Sequence, residues 1–230
     1  MKTIGLIGGT SWVSTVEYYR VINKQINKRL GGLNSAKILL YSQNQEEHKP
    51  PSDEAGWIEQ AGFLIGISRQ LEDAGAECIL LCANTPHMIA DKLQLGIHVP
   101  LIHIADATAR EILKFGLKRV ALLGTKVTME QSFYRDRLAK FGIAALTPDQ
   151  GERDFIDTTI FSELDKEIFK DETRKKYLAI IERLKGDGAE GVIFGCTEIP
   201  LLIKQSDCTI PAFDTTTIHA LAAAEFALGD

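Results

Sequence analysis

The sequence predicts an α/β protein of two pseudo-symmetric lobes, each a parallel sheet with helices on both faces. Three observations carry that expectation. Residues 75–85 read "GAECILLCANT" and residues 188–198 read "GAEGVIFGCTE", and the two align without a gap. The match extends outward: "IGLIGG" at 4–9 corresponds to "VALLGT" at 120–125, and "VPLIHIADAT" at 99–108 to "IPAFDTTTIH" at 210–219. Preserved spacing points to duplication of a unit of about 115 residues, the size of one small domain. Finally, short apolar runs alternate with helix-period segments, and parallel strands need such crossovers. The expected division of the chain is 1–103 with 211–230 for the first lobe, and 104–210 for the second.

Each element has a local reason. "TIGLIGG" is a buried first strand. In the helix that follows, Ser14 and Glu17 have capping-box spacing, and Tyr18, Ile22, Ile26 and Leu30 share one face before Gly31. "AKILLYS" is the next strand. A second helix carries Trp57, Ala61, Leu64 and Leu71 on one stripe and closes at Gly75, leading into a strand that ends at Ala83. The second half repeats the scheme. "VALLGT" precedes a helix in which Thr128 and Gln131 have capping-box spacing; then come a strand around "IAALTP", a helix through Tyr177, Ile180, Ile181 and Leu184, and, past Gly188, the strand "GVIFGC".

Composition narrows the function classes. The 230 residues are 45% hydrophobic and 25% charged, with a formal net charge of −5. No apolar run approaches bilayer length, so no membrane role is expected. A net negative charge without a basic stretch argues against nucleic acid, while leaving room for an anionic small molecule bound by backbone N–H groups. The first residues lack the long apolar core of a secretion signal, and the four cysteines have no metal-ligand spacing with the histidines. Reduced thiols in a cytoplasmic protein are the expectation.

In parallel α/β sheets, ligands bind beyond the carboxyl ends of the strands. That edge holds Gly8–Ser11, Ala83–Thr85, Gly124, Thr125 and Cys196–Glu198. If the lobes face one another about a pseudo-two-fold axis, the "ANT" and "CTE" turns meet across one cleft. Cysteine at such a strand end, near helix amino termini, is placed for a lowered thiol pKa. Cys78 and Cys208 read as small core or loop residues. Cys82 points away from the side that Ala83 faces, since neighbours on a strand face opposite ways. His87, His103 and His219 read as hydrogen-bonded supports.

The whole chain resembles the cofactor-independent aspartate/glutamate racemase superfamily. The resemblance rests on "GLIGGTSW" (5–12), "LGGLNSA" (30–36), "ANTPH" (83–87), "LIHIADAT" (101–108), "LLGTKVTMEQSFY" (122–134), "GCTEIPLL" (195–202) and "FDTTTIHA" (213–220), and is greatest to the bacterial branch that includes broad-specificity amino-acid racemases. It implies two like lobes with the active site between them, a homodimer, an amino-acid substrate, and no pyridoxal phosphate, metal or other cofactor. The chemistry it implies is removal and return of an α-proton by two cysteines on opposite faces of the α-carbon.

Carried over residue by residue, the resemblance gives Cys196 as one catalytic thiol and leaves Ala83 at the position of the other, with Cys82 one residue early. Alanine cannot move a proton. The open alternatives are a one-sided racemase served by water or Thr85, a shifted turn that brings Cys82 in, a single-cysteine enzyme of another type, or an alanine introduced to trap substrate. The resemblance further implies substrate contacts from Thr10, Ser52, Asn84, Thr85, Thr125, Thr197 and Glu198. Asp165 stands where relatives place a lysine for a distal carboxylate, which weakens the case for an acidic substrate. The leading expectation is a cofactor-independent amino-acid racemase of the aspartate/glutamate type, acting on a small acidic or polar amino acid. Its rivals are a decarboxylase of the arylmalonate type and a catalytically impaired small-molecule binding protein.

Overall fold

The computed structural model describes residues 1–229. In chain order its elements are β1 (Thr3–Gly8), α1 (Trp12–Leu30), β2 (Lys37–Ser42), α2 (Glu54–Asp73), β3 (Cys78–Leu81), α3 (Ala90–Leu95), α4 (Ile104–Lys114), β4 (Arg119–Gly124), α5 (Lys126–Glu130), α6 (Ser132–Lys140), β5 (Ala144–Leu146), α7 (Gln150–Ser162), α8 (Asp171–Gly186), β6 (Gly191–Gly195), α9 (Ile199–Leu202), β7 (Ala212–Asp214) and α10 (Thr215–Leu228). The chain forms two compact units, Met1–Ile104 with the segment that begins at Thr216, and Ala105–Thr215. Because β7 pairs with β6, residues 212–214 belong to the second sheet, so the chain returns to the first unit at Thr216, later than the position 211 expected from the repeat.

The first unit is a parallel sheet of order β2-β1-β3. Strand alternation sends Ile4, Leu6, Cys78, Leu80 and Cys82 into one apolar cluster with Tyr18, Ile22 and Ile26 of α1 and the alanines of α10. Ile7, Ile79 and Leu81 enter the other, under Ala61, Leu64 and Leu71 of α2. Each fully buried residue such as Ile22 or Leu64 contributes about 1.5–3 kcal/mol through area removed from water. Leu30, expected on the buried face of α1, is 48% exposed in its last turn.

The second unit is a parallel sheet of order β5-β4-β6-β7. Ala121, Leu123, Val192 and Phe194 pack with Ile156 and Ile160 of α7 and Tyr177, Ile180, Ile181 and Leu184 of α8.

The duplication is visible atom by atom. Gly75 and Gly188 have φ of 98° and 97°. The next N–H bonds back into the helix in both: Ala76 to Leu71 O at 2.8 Å and Ala189 to Leu184 O at 2.9 Å. Glu77 and Glu190 then hold the start of the central strand, accepting from Thr3 N at 2.8 Å, and from Lys118 N and Arg119 N at 2.7 and 2.9 Å. Ile79 N donates to Pro100 O and Val192 N to Pro211 O. The fourth strand is complete only in the second unit; in the first it shrinks to an Ile79–Leu101 bridge.

Two helix starts differ from expectation. α1 begins at Trp12, behind Ser11, and Ser14 lies inside it, its hydroxyl donating to Ser11 O at 3.0 Å and Cys82 O at 3.4 Å. α5 begins behind Thr125, whose hydroxyl accepts from Thr128 N, and a separate helix, α6, starts at Ser132. β3 ends at Leu81, so Cys82 and Ala83 already belong to the bend beyond it.

Candidate active site

In the second unit, β4 and β6 end side by side, Gly124 opposite Gly195. A Cβ at Gly124 would lie 2.6 Å from the Gly195 carbonyl oxygen, so a side chain there would push the two strand ends apart. Cys196, Thr197 and Glu198 follow β6 directly, with Pro200 in the first turn of α9. The Cys196 thiol donates to Glu198 Oε2 at 2.9 Å, and the Thr197 hydroxyl donates to the same oxygen at 2.8 Å. Glu198 is 2% exposed, and its other oxygen, Oε1, is buried without a hydrogen-bond partner among the described residues. Thr125 stands at the end of β4, its hydroxyl 3.2 Å from that of Thr128.

The thiol departs from expectation. Burial pushes the Cys196 pKa well up, and the Glu198 carboxylate adds to this through its charge and its hydrogen bond; Asp165 raises it further. The expected lowering by helix termini does not occur, because a carboxylate accepting the S–H proton favours the neutral form. Cys196 is therefore a protonated thiol already paired with a proton acceptor.

In the first unit, Thr10 follows the end of β1, and Ala83, Asn84 and Thr85 follow β3, all three of the latter buried. Gly9 has φ of +83°, and its N–H donates to Thr15 Oγ1 at 2.9 Å. The Thr10 hydroxyl accepts from Gln43 Nε2 at 2.9 Å. Ser52 is exposed, one residue before Asp53, the cap of α2. Cys82 is 1% exposed within the apolar cluster of β1, β3 and α1, and burial pushes its thiol far up. It packs as a core residue.

Behind the Ala83 turn lies a histidine cluster. His87 Nδ1 donates to Ala83 O at 2.9 Å, while Nε2 accepts from Ile104 N at 3.2 Å, which fixes a neutral tautomer. The Tyr18 hydroxyl donates to His219 Nδ1 at 2.8 Å, and His219 Nε2 donates to Ile102 O at 2.6 Å. The His87 ring centroid lies 4.6 Å from that of His103 and 5.5 Å from that of His219. His87 thus holds the Ala83 turn, while His219 ties Tyr18 of α1 to the backbone at Ile102.

Gln43 was not among the residues singled out from the sequence. The signal was available: it follows the carboxyl end of β2, the same edge that marks the other candidates. Among the described residues, no group of three or more His, Cys, Asp or Glu is placed to hold a metal ion, and no helix is long and apolar enough to cross a membrane.

Residues 7–223 match the family model described as Asp/Glu/Hydantoin racemase. The chain belongs to this family. Its enzyme class is accordingly that of the amino-acid racemases. Over 99% of this chain and 100% of the other, it superposes with a TM-score of 0.93 and 47% identity on a Yersinia pestis protein crystallised as a candidate Asp/Glu racemase. An aspartate racemase homologue from Pyrococcus horikoshii OT3 gives 0.87 and 38% over the same shares. The broad specificity amino-acid racemase RacX of Bacillus subtilis (strain 168) is 23% identical over 157 residues, 68% of this chain and 67% of that protein.

Proposed function

We propose that this racemase-family enzyme moves the α-proton of an amino acid with the Cys196 thiol, using no cofactor. The observation that carries the reading is the 2.9 Å contact from Cys196 Sγ to Glu198 Oε2 at the ligand edge of β6. An α-proton is very weakly acidic, so its removal needs a positioned base and stabilisation of the charge left on the substrate carboxylate. The S–H proton passes to Glu198, the thiolate takes the α-proton, and the C–H electron pair moves into the substrate carboxylate. Reversal returns the proton to carbon and the Glu198 proton to sulfur. Thr10, Ser52, Asn84, Thr85, Thr125 and Thr197 supply the polar contacts of the reading, and the enzyme acts as a cytoplasmic homodimer.

The other face of the α-carbon has no thiol in this scheme. Ala83 carries no proton, and Cys82 packs with Ile4, Leu6 and Tyr18, so delivery on that face falls to water or Thr85. Return from Cys196 then outpaces inversion. Incubating single enantiomers in deuterated water tests this directly: α-deuterium should appear faster than the opposite enantiomer. Cys196→Ser should lower exchange by about 10²–10⁴-fold, and full activity in that variant would remove the assignment.

A second reading is favoured by the protonated state of Cys196. A lone thiol held as S–H suits an enzyme that only returns a proton to a carbanion, as after loss of carbon dioxide from a malonate. Carbon dioxide release from a substituted malonate, without exchange into amino acids, would establish it.

A further inference from the structure

Gln43 is locked into the turn that follows β1. Its backbone N–H donates to Gly8 O at 3.0 Å and its side-chain Nε2 to Thr10 Oγ1 at 2.9 Å. A Cβ on Gly9 would lie 2.0 Å from the Gln43 carbonyl oxygen, so the turn and Gln43 are packed backbone to backbone. Gln43 as a whole is 7% exposed, and its remaining side-chain polar atom, Oε1, is buried with no hydrogen-bond partner among the described residues. A buried amide oxygen left unpaired is costly, and a ligand donor placed against it recovers that cost. This one lies at the carboxyl edge of its sheet, where ligands bind. An amide oxygen takes a hydrogen bond from N–H or O–H and repels a carboxylate.

The second unit, considered alone, points the same way. Glu198 Oε1 is another buried acceptor without a partner, and the charges that act most strongly on the Cys196 thiol are both carboxylates, Glu198 and Asp165. Each unit therefore offers a ligand acceptors or negative charge at its candidate edge.

We propose that Gln43 is a specificity-determining residue whose side-chain carbonyl receives a donor from the substrate side chain. The favoured substrates are amino acids whose side chain ends in N–H donors, a terminal ammonium above all, and not the dicarboxylic amino acids. The proposal rests on the racemase reading for its substrate class.

Lysine, alanine and aspartate, compared by α-deuterium exchange and by calorimetric binding, supply the test. The wild-type protein should prefer lysine to aspartate by at least about tenfold in kcat/KM, the scale of one buried hydrogen bond to a charged group. In Gln43→Leu the lysine-to-alanine ratio should fall about tenfold, while Gln43→Glu, which keeps an acceptor in place, should retain it. The opposite amide orientation would present N–H donors and select a carboxylate, so aspartate preference overturns the assignment. An unchanged lysine-to-alanine ratio in Gln43→Leu also overturns it, leaving Gln43 a support for Thr10. Calorimetry separates this from the parent reading: tighter binding of lysine without exchange into any amino acid keeps the Gln43 assignment and removes the racemase, whereas exchange led by aspartate does the reverse.

Discussion

Cys196 and Glu198 are two residues apart, yet their contact depends on the turn at Thr197, and this decides the ionisation of the thiol. Glu198→Gln removes the charge that raises the thiol pKa. Alkylation of Cys196 in that variant should therefore show its pH inflection displaced to lower pH, while exchange falls by about 10²-fold for want of an acceptor. A thiol that ionises at the same pH in both proteins would show that the carboxylate does not control it. At Ala83, cysteine should raise the ratio of inversion to exchange, measured by deuterium content and optical rotation together. The sequence led to Cys196 through the repeat, because strand-end position follows from alternation alone. The direction of the pKa shift was not legible. It depends on which side chain the turn presents to sulfur, and neither period nor spacing encodes that. The position of Gln43 behind β2 is legible, but that its Oε1 is buried without a hydrogen-bond partner among the described residues is a matter of packing, which spacing does not encode.

At the scale of elements, the strands and the glycine closures were legible, and the helix starts were not. Ser14-x-x-Glu17 has the spacing of a capping box, but Ser14 serves inside α1, where its hydroxyl reaches Ser11 O and Cys82 O. Thr125, rather than Thr128, caps α5 because the chain turns immediately after β4. A capping box does form at α7: Asp149 accepts from Glu152 N, and Glu152 accepts from Asp149 N. Asp149→Ala should cost about 1 kcal/mol, read from denaturant unfolding. Gly9→Ala should cost more. It puts a side chain on a residue with φ of +83° and drives a Cβ onto the Gln43 carbonyl. A Gly9→Ala protein of wild-type stability would show that the turn yields more readily than its packing suggests.

For the whole molecule, acid is the weakness built into the first unit. Burial lowers the His219 pKa to about 4, and burial together with neighbouring histidines lowers that of His87 well below its ordinary value. In the unfolded chain both titrate near 6.5, so below that pH the unfolded state binds protons that the native state refuses, and stability falls. For His219 the loss runs from about pH 6.5 to about pH 4 and amounts to about 3 kcal/mol. Unfolding temperature should decline over that window, with a shallower slope in His219→Gln; a flat profile would mean that the cluster accepts a proton while folded. The two-unit plan was legible in the repeat, whereas the reduced fourth strand of the first unit was not, since "VPLIHI" and "IPAFDT" read alike and only pairing at Leu101 distinguishes them.

The duplicated halves differ in one respect that the ancestral symmetry hides. The second unit is an uninterrupted stretch, Ala105–Thr215. The first, by contrast, relies for one layer of its interior on Ala220, Ala223, Ala224 and Ala227 of α10. During synthesis Ile4, Leu6 and Leu80 therefore wait for a helix translated more than a hundred residues afterwards, behind the whole of the second unit.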